Sequence, residues 1–181
     1  MFTKSWYLFF LTLTLYLSGC GNADSDFKRG MDYYNNKGYV KAAQLFQKAA
    51  KKGHATAQFQ LGMMYYDGKG VPKQSAEAAS WLGKAAEQGD AKAQNNLGLL
   101  YYDGDGVPQD LTKAAQWYRK AAEQGNVDAQ VNLAILYKKG QGVPKDVAEA
   151  TRWFRKAAEQ GDAYAQEELA RLIPQPNHVQ K

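Results

Sequence analysis

The chain holds a single cysteine, two histidines and five prolines in 181 residues. Each scarcity excludes something. Cys20, being alone, closes no disulfide within the chain and supplies no thiolate metal cluster. His54 stands at a corner and His178 in the C-terminal stretch, and neither has a nucleophile beside it. A nucleophile–base pair is therefore not legible, and no catalytic residue, cofactor or metal site is expected. No run of five like charges occurs, and the net charge of +5 is spread over mixed Lys, Arg, Asp and Glu. That describes a solvated surface and not the basic stripe that nucleic acid requires. The one long apolar run, Trp6 to Leu17, has twelve residues, well short of the roughly 20 that a membrane-spanning helix needs.

What the chain does have is a period. The stretch Asp90 to Gly125 recurs with a shift of 36 residues at His54 to Gly89 and at Asn126 to Gly161. Sixteen of the 36 columns are identical in all three copies, so one structural unit is built three times and stacked on itself. A degenerate half-copy precedes the first unit, from Asp26 to Gly53, and a partial fourth starts at Asp162.

Ahead of the repeats, Lys4, the apolar run and the small residues Ser18 and Gly19 read as a secretory signal over residues 1–19. Leu17-Ser18-Gly19-Cys20 resembles the lipobox of bacterial lipoprotein precursors. The resemblance implies cleavage before Cys20 and acylation of its thiol and new amino terminus. Each buried methylene adds about 0.8 kcal/mol, so several chains hold a protein firmly to a bilayer. Gly21 is not the aspartate that retains such lipoproteins in the inner membrane, so the expected location is the outer membrane, facing the periplasm. Residues 20–25 are read as the lipidated cysteine and a short polar tether. The membrane is reached through the lipid, and nucleic acid is not a partner.

Within each unit the spacing predicts two helices. In the first, Ala57, Leu61 and Tyr65 stand four apart and share a face. Gly62 and Gly98 fall inside this helix, where glycine costs up to about 1 kcal/mol, and are expected to admit a close helix crossing. Gly68, Gly104 and Gly140 are expected left-handed C-caps, and Gly-x-Gly-Val-Pro then blocks continuation. That loop lacks the Gly-Lys-Ser/Thr of a phosphate-binding loop. Asp67, Asp103 and Asp105 are read as solvated loop acids, with Lys139 in their place in the third copy. Asp110 and Asp146 are expected N-caps of the second helix, with Glu149 completing a capping box. Ala78, Trp81, Leu82 and Ala85 should face the core, with Tyr118 and Phe154 in the Leu82 column. Asp26 is read as the N-cap of the half-copy's first helix, and His54, Asp90, Asn126 and Asp162 start the first helices of later units across two-residue corners. A last helix from Ala163 to Ile173 has a charged exterior suited to closing an array, and residues 174–181 form an expected disordered tail.

The pattern A-x-A-Q-x-x-L-G-x-x-Y-x-x-G-x-G-V-P, followed by D-x-x-K-A-x-x-W-x-x-K-A-A-E-Q-G, resembles the Sel-one-like repeat (SLR), a longer-looped relative of the tetratricopeptide. The likeness covers about Ala55 to Leu172. It implies an all-α, right-handed α-solenoid of stacked helical hairpins with about nine helices. The units are a tetratricopeptide-like half repeat at 26–53, SLR units at 54–89, 90–125 and 126–161, and a capping helix at 162–173. Some members of the family staple each unit with a cysteine pair, which this chain lacks, so packing alone must hold it.

The resemblance also implies a binding face on the inner wall made by the first helices. Carrying over the groove positions by column gives Phe59, Asn95 and Val131 as one row. Met63, Leu99 and Ile135 form a second row, for which the core reading is favoured, and Tyr34, Tyr66, Tyr102 and Lys138 form a third. The tyrosines have the contact area and polar tip of interface residues, and packing against the neighbouring hairpin is their equal alternative. The implied function is a non-enzymatic scaffold that binds a protein or peptide, such as an envelope complex. An alternative is an immunity lipoprotein that neutralises a toxic effector, a type VI secreted phospholipase. A third is a hydrolase of β-lactams or cell-wall fragments. Changing Cys20→Ala is expected to move the protein from the membrane fraction to the soluble one on cell fractionation; retention in the membrane would refute the lipid assignment.

Overall fold

The computed structural model describes residues 23–172. The expected signal, Cys20 and the tail lie outside the described residues. Nine helices and no strand occur among the described residues. They are α1 (residues 23–35), α2 (Tyr39–Lys51), α3 (Ala55–Asp67), α4 (Ser75–Glu87), α5 (Ala91–Asp103), α6 (Leu111–Glu123), α7 (Val127–Lys139), α8 (Val147–Glu159) and α9 (Ala163–Leu172). They fall into two compact units that divide between Gln88 and Gly89. In the first, α3 packs on both α2 and α4; in the second, α5 to α9 each pack on the next in sequence.

Start signals sit where chain chemistry puts them. Asp90, Asn126 and Asp162 accept the backbone N–H three residues on, at 2.7–2.8 Å. His54 does the same through Nδ1 at 3.1 Å. Asp110 and Asp146 cap α6 and α8, whereas Gln74 makes no side-chain cap on α4. The capping box expected at Asp146 and Glu149 does not close. The Asp146 N–H donates to the Tyr137 carbonyl, and the Glu149 carboxylate turns instead to Arg152.

Corners between units are three residues long, one more than expected, because the residue before each glycine is itself non-helical. At the α6–α7 corner the Asn126 N–H reaches the Ala121 carbonyl and the Gly125 N–H reaches that of Ala122. This pair of bonds is a Schellman motif. The Gly-x-Gly loop has a packing role. A Cβ at Gly142 would lie 2.1 Å from the Leu111 carbonyl oxygen, so only glycine lets the loop after α7 rest on the first turn of α6.

Small residues set the helix spacing. Ala57, Ala78, Ala85, Ala93, Ala114, Ala121, Ala129, Ala150 and Ala157 have no exposed surface. A Cβ at Gly98 would come within 2.7 Å of the Tyr118 ring, and one at Gly62 within 2.8 Å of Leu82. The expected close crossings are there. Leu82, Tyr118 and Phe154 are buried in the α3–α4, α5–α6 and α7–α8 hairpins. Trp81 and Trp153 are buried, and each tryptophan of the column, including half-buried Trp117, carries the ammonium of a lysine three residues on. Such a contact is worth about 0.5–1 kcal/mol at an exposed site.

Two features were not anticipated. Met64, Leu100 and Leu136 are buried, whereas Met63, Leu99 and Ile135, one residue earlier, are only half-buried. The core column of the first helix is thus displaced by one position from the expected row. The second feature is a chain of buried carboxamides. Gln130 is 3% exposed. Its Nε2 donates to the Ala122 carbonyl at 3.1 Å, and its Oε1 accepts from Gln160 Nε2 at 2.9 Å. Gln58 repeats the pattern with Ala50 and Gln88, and Gln124 donates to Gln94. Gln58 and Gln130 each tie the start of a first helix to the end of the helix before it and to the end of its own partner.

The N-terminal hairpin differs from its reading. Residues 23–25, expected as tether, are helical, and Ala23 is buried. Asp26 is therefore not an N-cap; it lies inside α1 and pairs with Lys52 at 2.7 Å. Phe27 stacks on His54 with centroids 4.4 Å apart, and the Asp26 carboxylate is spent on Lys52 and not on a helix start.

Changing Gln130→Ala is expected to destabilise the protein by about 2 kcal/mol, since buried polar partners lose their bonds along with the packing. Changing the exposed Gln116→Ala should stay within about 0.5 kcal/mol of the parent. Urea unfolding midpoints measure both.

Candidate functional site

The repeated hairpin places α5 and α7 side by side with α6 behind them, and a cleft of about 200 Å³ opens between the two first helices. Leu99, Tyr102 and Asp103 line it from α5, and Asn132, Ile135 and Lys139 from α7. Tyr118 of α6 and Leu136 close its floor. The lining residues of each helix recur at intervals of three and four, which stacks them on one face.

The floor is mostly buried and the rim charged. Tyr118 is 2% exposed, and burial pushes its phenol far above the usual range, with Asp103 adding to the effect. The hydroxyl is thus a hydrogen-bond donor at any physiological pH. Asp103 and Lys139 form no ion pair among the described residues. Asn132 donates to Asn95 at 3.2 Å, joining α7 to α5 beside the cleft.

Of the residues carried over onto the inner wall, the cleft brings in Tyr102 directly and Asn95 through Asn132. Val131 is half-buried against the second unit's core, as Tyr102 also is in part. Lys138 does not present a free charge: its Nζ is paired with the Glu168 carboxylate on α9, whose side chain is 4% exposed. In the first unit Tyr34 is taken up by packing, edge-on to Tyr39 at 5.2 Å and tilted on buried Phe46 at 6.3 Å. Phe59 and Tyr66 are half-buried, and Lys73 lies 5.4 Å over the Tyr66 ring. Leu99 and Ile135, a carried-over groove row read in favour of core, line the cleft, and Asp103, Tyr118, Asn132, Leu136 and Lys139 were missed as cleft residues. The signal was present in α7, where Asn132, Ile135 and Lys139 stand three and four apart. It was hidden by assigning Ile135 to the core and Asp103 to the loop.

No group of metal-ligating side chains occurs among the described residues, and no described helix is long and apolar enough to cross a membrane.

The Sel1 repeat family model matches residues 36–54, 55–90, 91–126 and 127–162. The chain belongs to the Sel1 repeat family. Its first match falls within the half-copy, and the others reproduce the 36-residue units displaced by one residue. Among solved structures, the chain is similar to a protective antigen of uropathogenic Escherichia coli that displays an SLR fold, with 36% identity and a TM-score of 0.80 over 88% of this chain and 35% of that one. It is similar to a Sel1 repeat protein from Oxalobacter formigenes, with 39% identity and a TM-score of 0.75 over 79% of this chain and 59% of that one. Helicobacter pylori cysteine rich protein B matches at 27% identity and a TM-score of 0.54, over 80% and 95% of the two chains. A search of curated proteins finds no match. The chain spans about a third and three-fifths of the first two structures. The fold is the all-α solenoid of stacked hairpins that defines Sel1 repeat proteins, which are in general non-enzymatic scaffolds that bind protein partners.

Glu168 offers a pH handle on this Sel1 unit. Its hydrogen bond from Lys138, supported by Arg171, holds its carboxyl below the ordinary value of 4.5. A depressed folded pKa stabilises the fold fully above the unfolded value, and the contribution is lost as pH falls through the folded one. Changing Glu168→Gln is expected to lower the Tm at pH 7 and to flatten part of its fall as the pH drops below about 4.5, as read by differential scanning calorimetry.

Proposed function

We propose that this Sel1 repeat protein is a periplasm-facing scaffold, tied to the outer membrane through acylated Cys20, that grips a segment of a partner protein along the inner faces of its first helices. The observation that carries the gripping role is the cleft between α5 and α7. It joins an apolar floor to unpaired charges and a phenol at the rim, which is the composition of a binding surface: large aromatic contact at the centre and polar groups around it. Tyr102 is the residue of the inner wall that contributes most, because its ring is only half-buried where the cleft opens. Anchoring rests on the lipobox residues Leu17 to Cys20, and Gly21 favours the outer membrane.

Repeat scaffolds bind by surface and not by a reaction centre, so the partner is a protein or peptide and the product of binding is an assembly. Neutralising a secreted phospholipase is a narrower form of the same role, tested by co-purification with an effector encoded beside this chain.

Changing Tyr66→Ala and Tyr102→Ala together is expected to abolish capture of envelope partners in a pull-down read by mass spectrometry. The helical circular-dichroism signal should be unchanged. Loss of helicity would mean that the rings serve packing, and undiminished capture would remove the inner wall from the binding role.

A further inference from the structure

We propose that the α5–α7 cleft is a discrete subsite for an extended segment that inserts one leucine-sized apolar side chain, offers a backbone carbonyl to the Tyr118 hydroxyl, and carries a basic residue toward Asp103 and an acidic one toward Lys139. The inference rests on the scaffold reading and specifies what that scaffold recognises.

Three observations converge on this occupant. Tyr118 is 2% exposed, yet no hydrogen bond among the described residues engages its hydroxyl. Among the described residues, Gln141 Oε1 is the one side-chain polar atom both fully buried and without a partner. The Tyr118 hydroxyl therefore meets solvent, and it does so in the cleft that the ring lines. The columns that hold Tyr118 supply Leu82 and Phe154 in the other hairpins, so this is the one floor of the three with a donor. A donor set in an apolar floor discriminates by demanding an acceptor, because leaving it unpaired under a bound ligand costs about 1–3 kcal/mol.

The nature of the acceptor follows from its surroundings. Asp103 lines the same cleft, and its negative charge disfavours an anionic acceptor beside the phenol. A neutral carbonyl is preferred. Leu99, Ile135 and Leu136 give the cleft apolar walls, and about 200 Å³ accommodates a single medium side chain with its peptide groups. At the rim, Asp103 on α5 and Lys139 on α7 are exposed and not paired with each other. Opposite charges on opposite helices fix which way a bipolar segment lies across the groove, giving orientation more than affinity.

The test uses the full chain in detergent and a fluorescein-labelled, end-blocked pentapeptide of lysine, glycine, leucine, glycine and glutamate, read by anisotropy. Saturable binding is expected, weakened about tenfold when serine replaces the leucine. Tyr118→Phe should weaken it about fivefold while leaving the melting curve in place, since the ring and its packing remain. Asp103→Lys should weaken the original peptide, and a peptide with glutamate in place of its lysine should recover binding. Absence of binding up to about 5 mM, equal binding of the serine peptide, or indifference to both Tyr118→Phe and Asp103→Lys would each overturn the subsite. Should these fail while the Tyr66 and Tyr102 double variant still loses partner capture, the scaffold reading stands and only the subsite falls.

Discussion

A buried carboxamide is the joint on which each repeat turns. Gln58 and Gln130 each spend both ends of the side chain inside the protein, the nitrogen on the last carbonyls of the preceding helix and the oxygen on the glutamine thirty residues later. Helix ends leave four carbonyls without intrahelical partners, and a hairpin stacked on another buries some of them. Glutamine is long enough to reach them and has both a donor and an acceptor. An apolar residue in this column would forfeit both side-chain bonds, leaving the Ala122 carbonyl only the Gly125 N–H, and a shorter amide would not span the gap. The bond therefore constrains the separation and the rotation of neighbouring helices together.

The cleft is a consequence of that constraint. Alanine and glycine bring the two helices of one hairpin close, so that Tyr118 lies directly against Gly98. First helices of successive units are joined less closely, by half-buried side chains such as Leu99, Asn132 and Ile135. Tight packing within the hairpin and looser packing along the inner row leave a gap with a floor. Stabilising contacts and binding surface are thus supplied by different faces of the same helix, which is why a repeat can vary one while keeping the other. Lys138 illustrates the boundary between the two. It belongs to the inner row, but the last helix supplies Glu168, and its charge goes to holding α9 in place.

Much of the fold was legible from spacing. The 36-residue period predicts paired helices, glycine gives the caps at Gly104 and Gly140, and Asp90, Asp110, Asn126 and Asp146 start the helices they were expected to start. These features depend on residues near one another in the chain, where a side chain and the backbone three positions on must meet. The glutamine column was equally regular, being identical in all three copies, but its meaning was not legible. Polar residues on a helix ordinarily face water, and only a third helix thirty residues away turns Gln130 inward. The same limit displaced the core row from Met64, Leu100 and Leu136 to their neighbours, since 3.6 residues per turn leaves two adjacent columns equally eligible for the inner edge.

The sequence alone determined that this is a helical repeat protein and where most of its helices begin and end. Those properties are set by periodicity and by local capping, which a linear chain encodes directly. Tertiary structure alone decided which tyrosines pack and which open onto a cleft, that Asp26 and Lys138 are tied within the fold, and that Tyr118 keeps an unspent donor in an apolar floor. Each of these depends on what a neighbouring helix brings to within a few ångströms, and residues far apart in the chain meet only when the hairpins stack.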